Sequence, residues 1–343
     1  MIGSAWEAYG LRLRRKRFLL RAWRKSRELR RDTYRADQIG PSDILCFVTL
    51  RNEAERLPFF LAHYRRLGVR HFLVVDNDSD DGSTELLREQ PDVSLWRTAS
   101  SYKASRFGID WMTALQWKYG HGHWCLTVDA DEVLIYPDWE GQGLSALTDW
   151  LDNQSIPSFG AMLLDMYPKG RLSEQSYRVG EDPTGVLCWF DADNYRRRPN
   201  TRFHSDWIQG GVRDRVFFAA QPDRAPTLNK VPLVKWQRGF AYVTSTHHML
   251  PRHLNRVFPT QVDGRPSGVL LHSKFLPSVG ARSAQELVRR QHFENADLYD
   301  TYYRRLIEDV DLWHAGSVQY EGWQQLVSLG LMARGDWAPQ GRH

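Results

Sequence analysis

From residue 43 to about residue 134, short apolar runs alternate with stretches whose apolar residues recur at helical spacing. This is the signature of an α/β domain with a largely parallel sheet. Residues 44–50 predict the first strand. Leu57, Phe60, Leu61, Tyr64 and Leu67 then share one helical face, and Gly68 stands where that helix stops. Strand two is expected over residues 72–75, a short helix around 84–88, and strand three over 93–96. Phe107, Trp111, Leu115 and Tyr119 mark another helix before a fourth strand at 124–128. Beyond it, apolar segments at 159–164, 186–190, 212–218, 231–234 and 269–271 predict further strands that extend the sheet in mixed fashion. A long helical pattern runs from 284 to 307 and a short one from 323 to 329. The chain has no internal repeat or low-complexity linker. The expected organisation is an N-terminal arm (1–40), one domain (43–310) and a helical tail (311–343).

The 343 residues are 42% hydrophobic and 13% aromatic, enough for a large core, which excludes a disordered chain. The apolar runs fall far short of the roughly 20 residues that cross a bilayer, so no transmembrane helix is expected. No secretory leader is recognisable, and Cys46, Cys125 and Cys188 lack paired or metal-type spacing. Free thiols and a cytoplasmic location are the expectation.

Net charge is +5 and the isoelectric point is about 9.1, so the location of the charge matters. Residues 1–37 hold 12 Lys/Arg against 4 Asp/Glu, a net +8, which leaves 34 against 37 elsewhere. The basicity belongs to the arm. There Leu13, Leu19, Leu20, Trp23 and Leu29 interleave with cations such as Arg12, Arg14, Arg17, Arg21 and Arg24. Such a segment resembles an interfacial helix, and residues 1–37 are a candidate contact with an anionic membrane surface, peripheral on its cytoplasmic face. A nucleic-acid partner is not expected.

Candidate chemistry sits at the strand ends. The fourth strand runs into Asp129, Asp131 and Glu132, and strand alternation would put Asp129 and Asp131 on one side. Ligands bind at the carboxyl ends of strands in open α/β sheets, and two carboxylates there suit one Mn²⁺ or Mg²⁺ with positions left for phosphate oxygens. After strand one, Arg51, Asn52 and Glu53 precede a helix N-terminus, a place for an anion or nucleotide. After strand two comes VDNDSDDGS, with Asp76 at the strand end and short polar side chains that hydrogen-bond a base or ribose.

These three segments resemble the donor-binding half of family 2 glycosyltransferases. More narrowly, they resemble a branch with a strand-one RNE, a V-D-N-x-S-x-D-G turn and a D-A-D-E. GGVRDRVF (210–217), VPLVKW (231–236), STHH (245–248) and LLHSKFL (270–276) extend the likeness. The resemblance implies a GT-A fold, a UDP- or GDP-sugar donor and a D-x-D pair holding Mn²⁺ or Mg²⁺. It further implies that Asp76, with Asn77 and Ser79, contacts the nucleoside, that Asp129 and Asp131 contact ribose and metal, and that transfer inverts the anomeric centre. The chain lacks the Q-x-x-R-W signature of processive synthases, so single-sugar transfer to a glycan or lipid-linked acceptor is expected.

A third metal ligand is expected at His272, with His247 and His248 as competitors; Lys274 would neutralise diphosphate. Arg213, after two glycines, is a candidate clamp for phosphate or acceptor. An inverting transfer needs a carboxylate base. Among Asp165, Asp191, Asp193, Asp206 and Asp214, the Gly-Gly turn favours Asp206 or Asp214. Two rivals stand beside this reading. A nucleotidyltransferase on the same fold would want a glycine-rich loop after strand one, and residues 49–57 contain no glycine. A non-catalytic module binding membrane or nucleic acid is the other.

Overall fold

The computed structural model describes residues 2–258, 264–289 and 296–338. Nine strands form one mixed sheet: β1 (Arg30–Thr33), β2 (Ile44–Leu50), β3 (Val69–Asp76), β4 (Val93–Arg97), β5 (Trp124–Thr127), β6 (Glu132–Ile135), β7 (Ser158–Asp165), β8 (Asn229–Lys235) and β9 (Gly268–His272). Their order is β1-β4-β3-β2-β5-β8-β7-β9-β6. Parallel pairing joins β4, β3, β2 and β5, and also β7 and β9, while β1, β8 and β6 pair antiparallel with their neighbours. Six strands therefore run one way. Their carboxyl ends meet the amino ends of β6 and β8 along one edge of the sheet.

Helices α2 (Leu57–Leu67), α3 (Ser83–Arg88) and α4 (Ile109–Tyr119) are the crossovers of the parallel part. Helix α2 buries Leu57, Phe60, Leu61, Tyr64 and Leu67, and it ends at Gly68, whose φ of +102° allows its N–H to cap Arg65 and Tyr64. Every residue of β2 is buried, and Phe47, Phe72, Leu45 and Trp111 lie in one continuous core with β7 and β9 residues such as Phe159 and Leu270. That cluster takes in both the parallel and the mixed part of the sheet, and two smaller apolar clusters, one with Tyr167 and Phe275 and one with Leu11 and Phe203, are separate from it.

Several expectations shift in the structure. Residues 212–218, expected as a strand, form helix α6 (Gly211–Phe217), because Gly210 and Gly211 at φ +146° and +71° turn the chain off strand Ser205–Gln209 into a helical start. Only Trp189–Phe190 of segment 186–190 is strand. The long helix expected over 284–307 is described as α7 (Val279–Arg289) and α8 (Ala296–Ile307), and residues 290–295 lie outside the described segments. Helix α5 (Leu144–Asn153) adds a layer the pattern did not announce, and α9 (Trp323–Ser328) matches the last helical pattern. Of the arm expected over 1–40, Ile2–Lys25 form helix α1, packed against α4, while Arg30–Thr33 join the main sheet as β1 beside β4. Cys46, Cys125 and Cys188 are free thiols, and among the described residues no helix is long and apolar enough to cross a membrane.

Candidate functional site

Strand order reverses direction of growth between β2 and β5, which opens a crevice at their carboxyl ends. A cleft of about 1030 Å³ lies there, large enough for a nucleotide sugar. One wall comes from the segment after β2, where Arg51, Asn52 and Glu53 face the cavity. The floor is Asp129, Asp131 and Glu132, and the far wall holds Arg213, Lys230, His272 and Lys274. Helix α7 forms a roof.

Asp129 and Asp131 do not sit on a strand. Strand β5 ends at Thr127, and residues 128–131 are a turn into β6, closed by Glu132 N–H donating to the Asp129 carbonyl at 3.1 Å. The turn, rather than strand alternation, brings the two carboxylates to the cleft. Tyr64 of α2 fixes the start of β6 by donating to the Glu132 carbonyl at 2.9 Å and accepting from the Leu134 N–H at 3.1 Å.

Opposite the turn, β9 delivers His272 and β7 delivers Asp165. His272 Nδ1 lies 2.6 Å from Asp165 Oδ1, and His272 Nε2 lies 3.1 Å from Asp131 Oδ2. Arg213, in the first turn of α6, donates to the other Asp165 oxygen at 2.7 Å. Gly210 makes that entry possible, since a Cβ there would stand 2.4 Å from the Asn194 carbonyl oxygen. Burial works against a charged Asp165, yet Arg213 and His272 hold its carboxyl down at about 2. Burial likewise opposes ionisation of Asp131, and the charges of His272, Arg56 and Lys274 override it, keeping the carboxyl well below its usual range.

Lys230, at the amino end of β8, is buried and lies 2.7 Å from Glu132 Oε1 and 3.3 Å from Asp129 Oδ2. Burial pushes Glu132 up, with Lys230 opposing. For Lys230, burial disfavours the charge, but Glu132 and Asp129 raise its pKa above the ordinary lysine value. Lys274 also faces the cleft, and among the described residues no carboxylate pairs with it. Burial lowers its pKa.

The donor set at the floor has the chemistry of a hard or borderline divalent ion: two carboxylates and one imidazole whose second nitrogen is held by a carboxylate, an arrangement that orients ligating histidines. Asp131 and His272 already converge. Asp129 leans to Lys230, and among the described residues no three side chains form a ready-made metal cage.

Arg51, Asn52, Glu53, Asn77, Arg213 and Lys274 line the cleft, as do Asp129, Asp131, His272 and His247. Asp76 and Ser79 do not. Asp76 is fully buried and spends its oxygens on the loop that follows: Oδ1 accepts from the Ser79 N–H at 2.9 Å and hydroxyl at 2.6 Å, and Oδ2 accepts from Thr84. His248 is buried between Phe203 and Trp207, with ring centroids at 4.9 and 5.7 Å. Asp206 and Asp214 are not brought to the cleft either. Asp214 is buried and gripped by Arg196 at 2.7 and 2.9 Å, and Asp206 sits in the hairpin of Arg196–Asn200 and Ser205–Gln209.

Sequence reasoning missed Lys230 and the roof. A lone lysine in the apolar run LNKVPLV signals a buried cation with a partner. On α7, Arg282, Gln285, Glu286 and Arg289 recur at i, i+3, i+4 and i+7, a polar stripe on one face. Arg282 reaches Glu53 at 2.8 Å, and Arg289 donates to Asn77 Oδ1 at 2.7 Å, so α7 closes over the loops after β2 and β3.

No family model matches the chain. A glycosyltransferase family 92 protein of rice, Oryza sativa subsp. japonica, is 30% identical over 157 residues, which cover 42% of this chain and 24% of the rice protein. The chain thus spans about a quarter of the length of the curated relative it matches. Among solved structures, a 4-diphosphocytidyl-2C-methyl-D-erythritol synthase overlaps 40% of this chain and 68% of its own at 15% identity and a TM-score of 0.24. A glucose-1-phosphate thymidylyltransferase-type protein of Bacillus anthracis, in complex with a sucrose, overlaps 87% and 98% at 10% identity and a TM-score of 0.29. Overlaps that loose carry no weight for function. The sequence match is to a family 92 protein rather than to family 2, and what it supports is similarity to a glycosyltransferase over part of the chain.

Proposed function

We propose that the protein transfers a single sugar from a nucleoside-diphosphate donor, of the UDP- or GDP-sugar type, to a glycan or lipid-linked acceptor. The observation that carries this reading is the pairing of a carboxylate floor, Asp129 and Asp131, with a cleft-facing Lys274 that, among the described residues, makes no direct salt bridge, at the crevice between β2 and β5. Asp129, Asp131 and His272 would hold Mn²⁺ or Mg²⁺. Such an ion, when bound, stabilises the charge that grows on a departing diphosphate.

The chain's own residues do the rest. Asp165, which Arg213 keeps ionised, accepts from the His272 Nδ1–H, and that turns Nε2 toward Asp131. Lys274, which lines the cleft, would meet diphosphate oxygens. Arg51, which donates to the Asn77 carbonyl at 2.9 Å, and Arg289 on α7 border the nucleoside end. Closure of α7 over these loops excludes water, which would otherwise compete with the acceptor hydroxyl. The acceptor's base belongs among carboxylates that line the cleft, because Asp206 and Asp214 stand away from it.

The test is a screen of UDP- and GDP-sugars for Mn²⁺-dependent release of nucleoside diphosphate. Release from one donor, abolished by chelation and by Lys274→Met, is the expected result. Absence of release from every donor, with the protein folded, would rule the reading out.

A further inference from the structure

Helix α1 has two unlike faces. Inward, Leu11 and Ala22 are buried, Arg21 Nε lies 2.5 Å from Asp110 Oδ2, and the guanidiniums of Arg106 and Arg14 stand over the rings of Phe18 and Phe203 at 4.0 and 5.8 Å. This face fixes the helix to α4 and to strand Ala241–Thr244. Outward, Trp6, Tyr9, Leu13, Leu20 and Trp23 are 70%, 54%, 43%, 46% and 55% exposed. At about 100° per residue these five fall within one arc of roughly 100°, a continuous apolar stripe pointed at solvent. Arg12, Lys16, Arg17 and Arg24 lie within or beside that arc and are exposed. The helix carries one acidic residue, Glu7, which turns to the inward side and faces Arg252 at 3.9 Å.

A surface stripe of two tryptophans, a tyrosine and two leucines, framed by four cations and no carboxylate, matches the layered chemistry of a lipid interface: acyl chains, then glycerol, then anionic headgroups. We infer that the outer face of α1 docks the folded protein in plane on an anionic lipid bilayer. The 24-residue helix is about 36 Å long and lies flat on the domain, so the whole stripe engages at once. Docking also positions the cleft. Arg106, beneath Phe18, donates to the Tyr242 and Val243 carbonyls, and its neighbour Phe107 and the next residue on that strand, Thr244, both line the cleft. One layer of residues separates the docking helix from the cavity.

The inference stands independently of the proposed reaction. It is tested by sedimenting the full chain with vesicles of phosphatidylcholine alone and of phosphatidylcholine with phosphatidylglycerol, at low and high salt. Binding to the anionic vesicles only, weakened by salt, is expected. Replacing Arg12, Lys16, Arg17 and Arg24 together by Gln lowers that binding by about tenfold or more, and Trp6→Ser with Leu20→Ser and Trp23→Ser lowers it comparably, with the thermal midpoint unchanged in both. Equal binding to neutral vesicles, no binding to either, or folded variants that bind like the parent would each overturn the proposal. So would a concentration-dependent dimer that these substitutions dissolve, since the stripe would then cover a second copy of the chain.

Discussion

The two walls of the cleft were built differently. The β2 to β5 wall comes from consecutive parallel strands whose ends follow one another in the chain, so its residues, Arg51 to Glu53 and Asp129 to Asp131, lie within about 80 positions. The β7 to β9 wall is assembled from the parallel pair β7 and β9 beside the antiparallel β8, and its residues arrive from positions 165, 230 and 272. Local strand-end logic governs the first wall. Long-range charge pairing governs the second, where Asp165, His272, Arg213, Lys230 and Glu132 each find a partner far away in sequence. The lesson is that the binding groups and the groups that aim them are separable, and substitutions can address each wall alone.

The largest expected effect falls on the second wall. Lys230→Met would leave Glu132 buried without its cation, and a cost of about 3–5 kcal/mol in urea unfolding is expected. Adding Glu132→Gln should recover much of it. A single substitution that costs nothing would mean the pair is not holding β8 to β6, and the distinction between walls would weaken.

Next comes acid. Two of the buried neutral histidines are His63 on α2, beside the Leu134 carbonyl, and His248 between Phe203 and Trp207. Burial pushes both down to about 4 from an ordinary 6.5. A depressed imidazole means the unfolded chain takes up protons first, so the stabilisation is complete above pH 6.5 and is lost as pH falls toward 4. The loss is on the order of 3 kcal/mol for each histidine. His63→Phe and His248→Phe should each flatten the melting-temperature profile across that window. A profile that neither substitution flattens would contradict the burial of these two imidazoles as neutral groups.

Smaller effects sharpen the roof and the discarded base. Arg289→Ala removes a contact of α7 to Asn77 and is expected to weaken nucleotide affinity by roughly 1 kcal/mol, read by titration, with little change in stability. Asp214→Asn is expected to lower the thermal midpoint through loss of its Arg196 pair and to leave turnover unchanged. A large fall in turnover would return Asp214 to the reacting centre.

The difference between walls also explains what the sequence made legible. Strands β2, β3, β4 and β5 and helices α2 and α4 were readable because each buries its own period, and Gly68 announces a stop. Asp129 and Asp131 reach the cleft through a turn and not through alternation. Asp76 was over-read: a short polar side chain after a strand serves the ligand or its own loop, and only three-dimensional placement decided for the loop. The segment 212–218 misled because seven residues with scattered apolar positions fit either period, and the positive φ of Gly210 and Gly211 settled it as helix. Lys230 was out of reach, and Asp165 was named only as a candidate base and not as the partner of His272, because these pairings join residues about 100 positions apart.

The most direct test of the central claim is calorimetric titration of UDP and of GDP into the protein with and without Mn²⁺, repeated on Asp131→Ala. Coupling between metal and nucleotide is reciprocal, so Mn²⁺ should tighten one nucleotide severalfold or more, and the substitution should erase that gain while the fold persists. Nucleotide binding that ignores both the metal and Asp131, or no binding of either nucleotide, would contradict the account.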